Sequence, residues 1–103
     1  MLEAFDFSTS EILEWELERI HQALLRKQIR IEPHATVEAN HDNIPLVKVL
    51  EAILVGIPVS KDLPNNPLKR IPGINYEHQY QAGWFRVKVA FIGQYAVITV
   101  HKI

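Results

Sequence analysis

Arg86 and Lys88 stand two residues apart near the end of the chain, and so do Thr99 and His101. In extended backbone, residues two apart project to the same face. Arg and Lys hold phosphate oxygens, Arg through a planar fork of donors. His titrates near neutral pH and serves as a general acid or base, and Thr adds a hydroxyl. RNA cleavage without a metal needs a base for the 2′-hydroxyl, an acid for the leaving oxygen and cations for the charge that builds on phosphorus. A solvated sheet face that deters aggregation uses the same residue types, and spacing alone favours that plainer reading.

Other chemistries have less support. The five histidines (His21, His34, His41, His78 and His101) show no H-x-x-x-H or H-E-x-x-H spacing, so no metal site and no cofactor is expected. His34 and His41 lie seven apart, within reach of one helical face. The chain has no cysteine, which excludes a disulfide scaffold, a thiolate zinc site and a cysteine nucleophile. No P-loop, G-x-S-x-G or G-x-G-x-x-G is present. Tyr76, Tyr80, Trp84 and Tyr95 are the residues on which unpaired bases could stack, or around which a dimer interface could form.

Charge locates a polyanion partner if there is one. The net charge of the 103 residues is −1. Residues 1–55 carry ten acids and five bases, a balance of −5; residues 56–103 carry two acids and six bases, a balance of +4. The positive half becomes a binding face only if its bases share a surface. Apolar residues make up 48%, ordinary for a globular chain. No apolar run approaches the ~20 residues needed to cross a membrane. The opening MLEAFDFSTSE lacks the basic start and apolar stretch of a signal peptide, so a cytoplasmic protein with no membrane partner is expected.

The elements that must position these residues follow from periodicity. Leu13, Leu17, Ile20 and Leu24 form a helical stripe over about 10–27, with Ser8 (paired with Glu11) and Ser10 as N-cap candidates. Ile29 and Ile31 alternate with polar residues as a short strand that Pro33 ends. A helix from His34 to about His41, a turn over Asn40–Asn43 and a helix opening at Pro45 and closing at Gly56 come next. Ile57 and Val59 predict a strand that stops at Lys61-Asp62, and 63–67 reads as a loop. Pro72-Gly73 predicts an irregular or bulged strand within 68–80, in which Tyr76, His78 and Tyr80 share a face.

The last hairpin is the clearest element. Phe85–Phe91 and Tyr95–His101 alternate about Gly93-Gln94, which suits a two-residue type II′ turn. That turn pairs Phe91 with Ala96, Val89 with Ile98 and Val87 with Val100 on an apolar face. Lys88 then meets Thr99 and Arg86 meets His101 on the other. The whole reads as α+β, with helices on one face of a mainly antiparallel sheet.

His34-Ala35, Asn43-Ile44-Pro45, Ala52-Ile53-Leu54-Val55-Gly56 and Val97-Ile98-Thr99-Val100 follow one another as in a family of uncharacterised bacterial domains related to RelE- and BrnT-type toxins, which residues 28–103 resemble. The resemblance implies a RelE/barnase-like fold, with about three helices on one face of a four-stranded antiparallel sheet. It makes 28–103 the core of a single 1–103 domain and 10–27 an N-terminal addition. It also gives weight to His34 and Thr99 as site residues. Asp42 departs from the family, which has Arg before the Ile turn.

Two readings result. In the first, the chain is a RelE-like ribonuclease or RNA-binding domain, with His34, His101 and Thr99 catalytic and Arg86, Lys88 and Arg70 on phosphate. In the second it is a catalytically inactive module that binds a small antitoxin-like protein or a second copy of itself through Trp15, Leu17 and Leu24. The acidic first helix could alternatively shield the basic sheet face.

Overall fold

The computed structural model describes residues 3–65, 67–68 and 71–103. Arg70 lies outside them, so its predicted phosphate contact has no structural counterpart here.

The first helix, α1, spans Glu14–Leu25, shorter than the predicted 10–27. Neither Ser8 nor Ser10 caps it: the Ser8 hydroxyl donates to Asp6 Oδ1 at 2.5 Å instead. Leu13 is the N-cap, and Glu16 reaches back to accept its N–H at 2.7 Å. Having no side-chain acceptor, Leu13 completes only half of a capping box. The buried side of α1 is Glu16, Ile20 and Ala23, with Leu17 and Leu24 half-buried beside the core. The helix is therefore rotated away from its leucine stripe, because Glu16 takes a buried cation. Its end is closed by Gln28 N–H to the Ala23 carbonyl and Lys27 N–H to that of Leu24, with Lys27 left-handed at φ +58°.

Strand β1 (Ile29–Ile31) leads into α2 (Pro33–His41), which has proline at its start, and then α3 (Leu46–Val55). Pro45 is the N-cap of α3 rather than its first residue. The turn before it has Asn43 at φ +56°, a conformation asparagine tolerates. Gly56 is not left-handed but extended. Glycine is needed there because a Cβ would sit 2.2 Å from the Ala52 carbonyl oxygen.

Strands β2 (Ile57–Asp62), β3 (Gly73–Tyr80), β4 (Gly83–Phe91) and β5 (Tyr95–Lys102) complete a five-stranded mixed sheet in the order β1-β5-β4-β3-β2. The expectation of four antiparallel strands is corrected by β1, which pairs with β5 in parallel. Its three residues serve only the first part of β5. Beyond them α2 takes over the strand edge: Glu38 Oε1 accepts Val100 N–H at 3.1 Å and Asp42 Oδ2 accepts Lys102 N–H at 3.0 Å. Four helical residues rise ~6 Å and two strand residues ~6.8 Å, so one helix face can serve alternate amides.

Two further expectations change. The irregularity predicted for 68–80 lies instead in β2, between Pro58 and Ser60, while β3 pairs evenly with β4. In the last hairpin the loop has three residues, Ile92 to Gln94, with Gly93 at φ +74°. Phe91 therefore faces Tyr95 and Val89 faces Val97, and Ile98 is an extra residue that restores the predicted pairing of Lys88 with Thr99 and Arg86 with His101. A register error of one residue is absorbed by one bulge.

The core lies between the helices and the inner sheet face. Ile20, Val49, Ile74, Phe85, Val87 and Val97 are fully or almost fully buried there. Ala90, Ala96 and Ile98 form a small separate cluster on the outer face. Among the described residues no helix is long and apolar enough to cross a membrane.

Candidate functional site

The outer sheet face gathers the residues singled out by spacing. Arg86 and His101 are cross-strand neighbours, as are Lys88 and Thr99. The neighbouring strand then neutralises the cations. Glu77, opposite Arg86 on β3, accepts both Nε and Nη2 of Arg86. Lys88 lies 3.0 Å from Asp62 Oδ2 and is almost wholly buried. Asn75 supports that pair, donating to Asp62 at 2.9 Å and to Ser60 at 3.0 Å. At the other edge Arg30 is paired with Glu32 at 2.8 Å. The positive half of the sequence thus builds a sheet face of alternating sign. His101 is exposed, and Trp84 shares its face with 40% of its surface open.

His34 lies elsewhere. Its imidazole is mostly exposed on α2, with Nε2 3.5 Å from Glu38 Oε2. No hydrogen bond or ion pair among the described residues joins His34 to His101. Asp42 has a structural role where the family resemblance expects Arg: it accepts the Lys102 amide, which a guanidinium could not do. That amide, and then His41, hold the Asp42 carboxyl below its ordinary range. Of the stacking candidates, Tyr76 and Tyr95 are buried, and burial raises both phenol pKa values.

A carboxylate–imidazole pair escaped the sequence reading. His78 Nε2 lies 2.9 Å from Glu51 Oε2, and Lys48 Nζ reaches the same oxygen at 2.8 Å. Lys48 and then His78 lower the Glu51 pKa. The pair ties α3 to β3 across 27 residues of sequence, a separation no local pattern signals. Among the described residues no three His, Asp or Glu gather as a metal site.

A wide concavity also has no counterpart among the sequence expectations. The segment 3–7, α1 and the β4–β5 loop enclose an open groove of about 1130 Å³. Its floor is aromatic. Phe5 stacks on Phe7 at 5.2 Å, Tyr95 meets Phe5 edge-on at 5.7 Å, and Phe91 meets Tyr95 edge-on at 5.1 Å. Tyr95 donates its hydroxyl to the Ala4 carbonyl at 2.7 Å and so fixes the segment as a wall. Arg19, Arg26 and Lys27 line the rim together with Glu3 and Glu18. Arg19 is engaged, over the Trp15 ring and on the Glu3 carbonyl. Arg26 and Lys27 make no ion pair among the described residues. Four separate segments, 3–7, 18–28, 71–72 and 91–95, make this groove, so only the third dimension reveals it.

No family model, no curated protein and no solved structure matches the chain.

Proposed function

We propose that the chain is a small binding module that acts by holding a protein partner and not by cleaving RNA. The carrying observation is the pairing of Arg30, Arg86 and Lys88 with Glu32, Glu77 and Asp62. A phosphate would have to compete with a carboxylate already in place at each cation, and Lys88 would also have to leave a buried site. The acid/base pair of the ribonuclease reading is also unassembled, since His34 and His101 have different neighbours. Trp15, Leu17 and Leu24, the first candidates for a partner surface, are half-buried on α1, which turns its deeper face to the core.

The register of Arg86 with His101 and of Lys88 with Thr99, with Trp84 on the same side, favours a second reading. In it the outer face of a RelE/barnase-like core contacts RNA. Labelled RNA incubated with the chain separates the two. The binding-module reading expects no cleavage, and the same result for the triple variant His34→Ala, His101→Ala, Arg86→Ala. Cleavage that the triple variant abolishes overturns it.

A further inference from the structure

We infer that the groove between segment 3–7, α1 and the β4–β5 loop docks an extended peptide segment of a partner protein, one with an apolar anchor side chain and an acidic flank. The inference rests on the binding-module reading and gives it a surface and a partner chemistry.

Shape comes first. Small-molecule sites are mostly enclosed pockets of about 300–1000 Å³. The groove, at about 1130 Å³, is at the upper end of that size and open to solvent, a form that an extended chain can enter. The second concavity, beside Trp84 and Lys102, is only about 230 Å³.

The floor sets the anchor. Phe91 is 47% exposed at the groove although its strand neighbours Val89 and Ala90 are fully buried. Ile71, 40% exposed, lines the same groove. An aliphatic or aromatic side chain laid on Phe91 and Phe7 removes this apolar surface from water. The aromatic floor is less suited to stacked bases: Phe5 and Tyr95 are buried and meet edge-on, so they offer no row of open ring faces.

The rim sets the flank. Arg26 and Lys27 carry positive charge that no carboxylate of the described residues neutralises, whereas the outer-face cations are all paired. Lys27 also holds a left-handed backbone at φ +58°, a position that glycine fills without strain. A side chain other than glycine is strained there, and what it adds is an ammonium at the groove's edge. Gln94, whose amide reaches the Gln28 carbonyl at 3.4 Å, spans from the hairpin loop to this same corner. Arg26 and Lys27 fit a short acidic run, while Glu3 and Glu18, which line the same groove, disfavour a continuous phosphate backbone.

A random octapeptide library displayed on phage and selected on the immobilised full chain tests this. The expected enrichment is an aromatic or branched aliphatic residue beside Asp or Glu. With both rim charges reversed, Arg26→Glu/Lys27→Glu should bind the synthesised consensus at least about ten-fold more weakly. Phe91→Ala weakens it about five-fold through lost apolar contact, and Arg86→Ala leaves it unchanged. Phe91, Arg26 and Lys27 are exposed, so circular dichroism should report an intact fold in all these variants. No enrichment, enrichment without acidic bias, equal binding by the rim variants, weakening by Arg86→Ala, or displacement of the peptide by a uridine decamer overturns the inference. RNA cleavage sensitive to His34 and His101 overturns the function reading instead, so the two failures are distinguishable.

Discussion

Removing the Glu16 carboxylate should unfold more of this protein than any surface change. The side chains of Glu16 and Lys61 are both wholly inaccessible, and the ammonium uses its three donors on Glu16 Oε1 at 2.9 Å, Glu16 Oε2 at 3.0 Å and the Asp6 carbonyl at 2.7 Å. The carboxylate also accepts the amides of Leu13 at 2.7 Å and Asp6 at 2.9 Å. One ion pair therefore joins the N-terminal segment, α1 and β2. Deleting one partner of such a pair leaves an uncompensated buried charge, at a cost of about 3–5 kcal/mol. The two deletions differ. In Glu16→Leu the ammonium keeps one carbonyl, whereas in Lys61→Met the carboxylate keeps two amide donors. Glu16→Leu should therefore cost more, and the double variant less than the sum of the two. At about 4 °C or more of melting temperature per kcal/mol for a domain of this size, Glu16→Leu should lower Tm by at least about 12 °C. Urea unfolding followed by Trp15 and Trp84 fluorescence measures the free energies, and because the pair is dry the loss should be the same at low and high NaCl. A loss under about 1 kcal/mol, the range of exposed pairs, or one that shrinks strongly with salt, refutes the reasoning.

Gln81 and Ala82 turn the β3–β4 hairpin at φ +50° and +60°, so Ala82→Gly should stabilise by about 0.5–1 kcal/mol in urea titration, and a loss would contradict the strain. Gly56→Ala and Gly73→Ala each place a Cβ 2.2 Å from a backbone carbonyl oxygen and should cost about 2–3 kcal/mol. Gly83→Ala, whose nearest neighbour is 3.7 Å away, should stay within about 0.5 kcal/mol, and equal effects at all three would refute the packing argument. Asp42, Asp6 and Glu51 have carboxyl pKa values lowered by folding, so their contribution is complete above the unfolded values near 4 and is lost as pH falls through the folded ones. Tm should therefore decline on acidification below about pH 4, and Asp42→Asn should flatten that decline; an unchanged slope would show that the carboxylate is not held by Lys102.

What the sequence made legible is what local patterns encode. Alternation over 85–91 and 95–101 placed Arg86 beside His101 and Lys88 beside Thr99, and Gly93 marked the loop. The bulge at Ile98 was hidden because a three-residue loop with a compensating bulge and a two-residue loop without one give the same outer pairing. The pairing of β1 with β5 was hidden because Ile29–Ile31 is short and its partner lies more than 60 residues away. Lys61 read as the end of a strand, since the acid that buries it is 45 residues upstream. Glu16 is one of the ten acids of residues 1–55, and nothing local marks it as buried. The charge split is real in the sequence, but it builds no free basic face: Glu77 takes Arg86, Asp62 takes Lys88, and Glu16 from the acidic half takes Lys61. The groove has no sequence signature, since Phe5, Lys27, Ile71 and Phe91 come from four separate segments.

Amide NMR titration of the full chain, once with the selected octapeptide and once with a uridine decamer, tests the central claim most directly by showing which surface works. Peptide-induced shifts are expected at Arg26, Lys27, Phe91 and Gly93, and no saturable shifts with the decamer. Saturable shifts at Arg86, Thr99 and His101 with the decamer, and none in the groove with the peptide, would contradict it.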